Sequence, residues 1–149
     1  MSLVRRFDHV GITVMDLDKV MAFFVGLGFE TEGRTFLEGD FLDTVVGIPD
    51  ARTEMAFLRA PGGGTSVELA SFIRPEHQPG SPDAMATELG LRSLAFEVDD
   101  IQAVLGRIAA DGYHPIGGVG DYEGMWRMAS VRGPEGIIVS FAQRIDRNA

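Results

Sequence analysis

The sequence predicts an α+β domain built from two consecutive βαβββ modules, and three observations carry that reading. The opening is written twice: Phe7-Asp8-His9-Val10-Gly11-Ile12-Thr13-Val14-Met15-Asp16-Leu17 aligns without a gap on Leu91-Arg92-Ser93-Leu94-Ala95-Phe96-Glu97-Val98-Asp99-Asp100-Ile101, each pair 84 positions apart (93 less 9, for example). The match runs on through Val20/Val104 and Phe24/Ile108 to Gly28/Gly112 and Phe29/Tyr113. The module ends also correspond, because Pro61 to Leu69 and Pro134 to Phe141 each place a Gly-containing turn before an apolar strand with one polar residue, Glu68 or Ser140. A repeat of this kind decides the architecture before any local propensity does.

The elements follow in order. His9 to Val14 alternates His9, Gly11 and Thr13 against Val10, Ile12 and Val14, which is the period of a strand with two unlike faces. Asp16 stands at a helix N-cap, Leu17, Val20, Met21, Phe23 and Phe24 recur at helical spacing, and Gly28 ends the run. Strands are expected at Glu30 to Phe36, Glu54 to Arg59 and Ser66 to Phe72, with Asp40 to Asp50 irregular. In the second copy, Phe96 and Val98 close a strand, Asp99 or Asp100 caps, and Ile101, Val104, Leu105 and Ile108 form the apolar stripe up to Gly112. Strands then follow at His114 to Gly118, Trp126 to Arg132 and Ile137 to Ala142, with Gly118 to Gly124 as a flexible loop. The modules are therefore 7–73 and 91–144, joined by a Pro-, Gly-, Ser- and Asp-rich linker over 74–90, in one domain over 1–149.

Composition narrows the function classes. A chain of 149 residues suffices for one core, whereas halves of roughly seventy residues are marginal alone and are expected to share one or to complete one with a second chain. The formal charge of −9 repels phosphate backbones and anionic membranes, so nucleic acid and membrane are not expected partners. With no cysteine, disulfides, thiol catalysis and thiolate metal sites are excluded. No signal peptide or apolar span of membrane length is read, and a cytoplasmic location is the expectation.

Two βαβββ modules opening on Asp8-His9-Val10-Gly11-Ile12-Thr13-Val14 and closing on Gly133-Pro134-Glu135-Gly136-Ile137-Ile138 resemble the vicinal oxygen chelate superfamily: glyoxalases, bleomycin-resistance proteins and extradiol dioxygenases. The resemblance covers nearly the whole chain. It implies curved mixed sheets around a pocket, a homodimer, and one divalent metal ion ringed by four side chains from the first and last strands of the two modules. Here those positions are His9, Glu68, Ser93 and Ser140. Imidazole and carboxylate are good ligands for such an ion, neutral serine hydroxyls are poor ones, and catalytic zinc sites keep about three protein ligands. Only His9 and Glu68 are therefore candidate metal ligands, while Ser93 and Ser140 are expected to hydrogen-bond a ligand.

The same resemblance implies that metal-using isomerases carry a glutamate, part of the proton transfer, where this chain has Ser140. Lactoylglutathione lyase activity of the usual kind is thus not expected, and the facial triad of an iron dioxygenase is incomplete. Glu68 and Glu123 are the candidates for a catalytic carboxylate. Tyr122, Trp126 and Arg127 are candidate ligand contacts, two as aromatic walls and one as a counter-ion. His77 and His114 lack motif spacing and read as surface or hydrogen-bonded residues, and Glu68 has an alternative reading as an ion-pair partner of Arg92 or Arg127.

Two functional classes emerge. One is a glyoxalase-like lyase, isomerase or dioxygenase acting on a vicinal-oxygen substrate through a metal held by His9 and Glu68. The other is a metal-free, drug-sequestering binding protein that takes a small cationic or aromatic molecule.

Overall fold

The computed structural model describes residues 2–145 of the chain, so the ends of the expected 1–149 span lie outside the described residues. It divides into two compact units, Met1–Pro79 and Gly80–Ala149. The first unit runs β1 (His9–Thr13), α1 (Leu17–Gly26), β2 (Glu30–Glu38), α2 (Asp40–Val46), β3 (Arg52–Arg59) and β4 (Ser66–Arg74). The second runs β5 (Leu94–Glu97), α3 (Ile101–Ala109), β6 (Gly120–Tyr122), β7 (Trp126–Arg132), a 3-10 turn (Pro134–Gly136) and β8 (Ile138–Arg144). Each unit holds a four-stranded mixed sheet, ordered β1-β4-β3-β2 and β5-β8-β7-β6, in which the first strand lies parallel to the last and the other pairs are antiparallel.

The duplication is visible in the hydrogen bonds. Asp16 Oδ1 accepts from the Lys19 amide at 3.0 Å and Asp100 Oδ1 from the Ala103 amide at 3.1 Å, each satisfying an orphan donor of a first turn. At the other helix ends the Phe29 amide donates to the Phe24 carbonyl and the Tyr113 amide to the Ile108 carbonyl, both at 3.1 Å. Gly28 and Gly112 make that reversal possible, with φ of 103° and 91°. The first core gathers Leu17, Val20, Phe23 and Phe24 with Ala56, Leu58, Val67 and Leu69; the second gathers Ile101, Leu105 and Ile108 with Val131, Val139 and Phe141. Helix α1 packs against β3 and β4 and α3 against β7 and β8, whereas Leu42 and Val46 of α2 border a cavity with Gly11, Thr13 and Glu68, towards the sheet face that carries His9.

Two segments differ from expectation. Asp40 to Asp50 contains α2, whose Leu42 is buried and whose end is set by Gly47 at φ 72° and by Asp43, which accepts from the Asp50 and Ala51 amides at 2.9 Å. His114 to Gly118 forms no strand, only a bridge from Pro115 to Val131; the fourth strand of that module is β6, within the supposed loop and paired Gly120↔Met128 and Tyr122↔Trp126. The end of the expected linker is also built in. Arg132 donates to the carbonyls of Pro82 at 2.9 Å and Ala84 at 2.7 Å, fastening that segment to β7.

Candidate functional site

The matched strand pairs place two of the four expected positions, Glu68 and Ser140, at equivalent registers. In the first unit Glu68 lies opposite Gly11 across β1 and β4, and in the second Ser140 lies opposite Ala95 across β5 and β8. Gly11 and Ala95 are partners in the repeat, so Glu68 and Ser140 occupy one structural position with unlike chemistry.

In the first unit His9 is held between two carboxylates. Its Nδ1 faces Asp8 Oδ2 at 2.8 Å and its Nε2 faces Glu68 Oε2 at 3.1 Å. With an acceptor at each ring nitrogen, the imidazolium with both protons is the form that satisfies the geometry. The Asp8 hydrogen bond accordingly raises the His9 pKa from its ordinary 6.5, opposed by partial burial and reinforced by Glu68. The Asp8 pKa falls below 3.8, chiefly through that same bond and then through Arg6. Arg6, Asp8, His9, Glu32, Arg59, Ser66 and Glu68 border a cavity of about 420 Å³. Within the first unit Glu68 pairs with His9.

Whether this donor set suits a divalent ion has two answers. The 3.1 Å His9–Glu68 separation is close to the ~3 Å between adjacent ligands at about 2.1 Å from one ion, so the spacing suits. The count does not. Among the described residues no group of three or more His, Cys, Asp or Glu is placed to hold a metal. Asp8 is no third ligand, since it is spent on the far side of the His9 ring.

The second unit holds a cavity of about 400 Å³ lined by Met85, Ile116, Met128, Ile138 and small residues, with Arg92, Ser93, Ser130 and Ser140 supplying the side-chain polar atoms. The Ser130 and Ser140 hydroxyls are 2.7 Å apart and bond one another. Arg92 Nη1 donates to Glu88 Oε2 at 2.9 Å, and its Nε is buried without a hydrogen-bond partner among the described residues. The cavity therefore combines an apolar wall with a few convergent polar groups, the composition of small-molecule sites.

The remaining candidates fall elsewhere. Glu123 sits at φ 51° in the exposed β6–β7 turn, where the Met125 amide donates to the Tyr122 carbonyl at 2.9 Å. Tyr122 is exposed, Trp126 is half-buried with the Arg144 guanidinium 5.9 Å from its ring centre, and Arg127 is exposed; none of these lines the second-unit cavity. His77 accepts the Phe72 amide through Nε2 at 3.0 Å, a structural use, and His114 is exposed. Sequence reasoning missed Met85, Arg92, Met128 and Ser130. One signal was present: the repeat aligns Arg92 with Asp8, inverting the charge beside the site position.

The chain belongs to the Glyoxalase/Bleomycin resistance protein/Dioxygenase superfamily, whose family model matches residues 8–129. A glyoxalase family protein from Bacillus cereus is 31% identical, with 97% of each chain covered and a TM-score of 0.93. The uncharacterised protein YaeR of Escherichia coli K12 is 30% identical over 106 residues, 70% of each chain. At 13% identity and a TM-score of 0.62, a variant of the fosfomycin resistance protein FosX from Listeria monocytogenes shares the fold over 93% of this chain and 90% of its own; that structure holds Mn(II) and 1S,2S-dihydroxypropylphosphonic acid. Among the described residues no helix is long and apolar enough to cross a membrane.

Proposed function

We propose that the chain is a metal-independent small-molecule binding protein of this superfamily, taking an apolar ligand in the cavity of its second unit as a drug-sequestering resistance protein would. The observation that carries the reading is the Ser130–Ser140 hydroxyl pair on the wall of that cavity. Where the resemblance implies an acidic ligand, a neutral hydroxyl stands already engaged. Ser93, just before β5, adds a second neutral group. Neither can anchor a divalent ion against water, while both can orient a bound organic molecule. The proposal extends to a cytoplasmic homodimer that binds neither nucleic acid nor membrane, in keeping with the charge of −9.

The test is elemental analysis of chelator-treated, desalted protein, followed by thermal unfolding with nickel, cobalt, zinc, manganese or ferrous ion. A working site at 100-fold excess over its Kd would add about 2.7 kcal/mol, which for a domain of this size is a rise of about 5–10 °C. The proposal expects no retained ion and no such rise. Stoichiometric metal that disappears in His9→Ala would overturn it.

The His9–Glu68 pair favours one other reading, a lyase, isomerase or dioxygenase in which the two residues share a divalent ion with substrate or water and Glu68 or Glu123 moves a proton. That reading requires Glu68→Ala to abolish both metal retention and turnover of a vicinal-oxygen substrate.

A further inference from the structure

The second-unit cavity carries a sign that the net charge conceals. Overall the chain is at −9, which attracts cations in general. Yet among the described residues lining this cavity, Arg92 is the one charged side chain. Its Nη1 is held by Glu88, which fixes the guanidinium, while its Nε bears the cost of burial with no acceptor in return. In the Ser130–Ser140 pair either hydroxyl can be the donor, so one hydroxyl hydrogen is left for a third partner. The polar side-chain groups of the cavity are thus rich in donors and contain no carboxylate.

We propose that this cavity binds a flat apolar acid in its anionic form, the carboxylate accepting from the Arg92 guanidinium and a serine hydroxyl, the ring lying among Met85, Ile116 and Met128. The inference rests on the reading above that this cavity is the binding site. A guanidinium offers a planar pair of donors matched to a carboxylate, and an ion-assisted hydrogen bond outweighs a neutral one. The thioethers of Met85 and Met128 adapt to an aromatic body. The repeat supports the sign: where the first unit has Asp8 holding His9, the second has Arg92 beside Ser93.

Isothermal titration of the full chain with three probes of one shape tests this: 2-naphthoate, neutral 2-naphthylmethanol and cationic 2-naphthylmethylammonium. Wild-type protein is expected to bind 2-naphthoate at least about tenfold tighter than the alcohol and to bind the ammonium most weakly, one charge-assisted bond being worth about a factor of ten. Arg92→Met combined with Glu88→Gln, which leaves no unpaired carboxylate behind, is expected to bring naphthoate to the level of the alcohol; Arg92→Lys retains part of the preference. Met128→Trp, filling the cavity, is expected to abolish binding of all three, with thermal unfolding confirming that each variant folds. Equal binding of the three probes, or a naphthoate preference that survives loss of Arg92, overturns the inference while cavity binding stands. Binding of none, or binding indifferent to Met128→Trp, overturns the cavity reading as well.

Discussion

In the first unit the β1–β4 pair presents His9 and Glu68 beside a cavity of about 420 Å³ bordered also by Arg6, Asp8, Glu32 and Arg59. In the second, Ser140 of β8 and Ser93, just before β5, stand beside a cavity of about 400 Å³ whose walls are apolar except for Arg92 and serines. The strand order, parallel pairing, cap, helix reversal and register are common to both. Backbone plan and side-chain chemistry are thus separable: after duplication the core positions are bound by packing, while the open sheet face can carry a charged dyad in one copy and a neutral cleft in the other.

Core truncation gives the largest expected effect and asks whether the two units are packed equally well. Phe24 and Phe141 are both buried, at 0% and 1% exposure. Phe24→Ala and Phe141→Ala are each expected to cost about 3–5 kcal/mol in urea unfolding. A loss below about 1 kcal/mol at either position would mean that one core does not hold its unit together.

The turns before the last strands are the next contrast. Gly63 and Gly136 both adopt positive φ, 80° and 83°, but a Cβ on Gly63 meets open space whereas one on Gly136 would lie 2.3 Å from the Pro82 carbonyl oxygen. Gly63→Ala should cost about 1–2 kcal/mol of left-handed backbone strain. Gly136→Ala should cost at least about 1 kcal/mol more and should expose the segment around Pro82, read as faster amide exchange at residues 82–85. Equal costs would show that this segment does not pack as described.

The caps should behave alike. Asp16→Ala and Asp100→Ala each remove one side-chain acceptor from a first turn, at an expected cost of about 1 kcal/mol by thermal unfolding. Unequal losses would break the equivalence of α1 and α3.

Smallest is a pH effect confined to the first unit. The His9 pKa is raised, so its ion-pair contribution is complete below pH 6.5 and is lost as pH rises through the folded-state value. The Asp8 pKa is lowered, so its contribution is present above 3.8 and is lost as pH falls through the folded value. Stability from this array should therefore peak between those limits and decline towards neutral pH, and His9→Gln should flatten the alkaline limb. An unchanged profile in His9→Gln would show that the array contributes nothing, as many exposed ion pairs do.

The repeat made α1, α3, both caps and the Glu68/Ser140 equivalence legible, because a capped amphipathic stripe occurring twice leaves little room for another fold. It could not reveal α2: Gly39 supplies no side-chain cap, and Phe41 and Val45 are 70% and 67% exposed, so no clean stripe forms. Strand β6 was hidden for another reason. Gly118 to Gly124 contains three glycines, the composition of a loop, and its pairing with β7 is imposed by tertiary context. At the site, His9 and Glu68 stood at matched ends of one module, and they meet at 3.1 Å. The second-unit cavity was less readable, since Met85 reaches its wall only because Arg132 fastens the preceding carbonyls, a contact some 48 residues away in sequence.

Metal independence is the claim on which the functional account turns, and one titration addresses it: 2-naphthoate binding to wild-type protein and to His9→Ala/Glu68→Ala, each in EDTA and each with manganese or nickel added. The account predicts one Kd, within about twofold, in all of these conditions. Binding that vanishes in EDTA, returns with the ion, and is absent from the double variant would contradict it and assign the chain to the metal-using members of its superfamily.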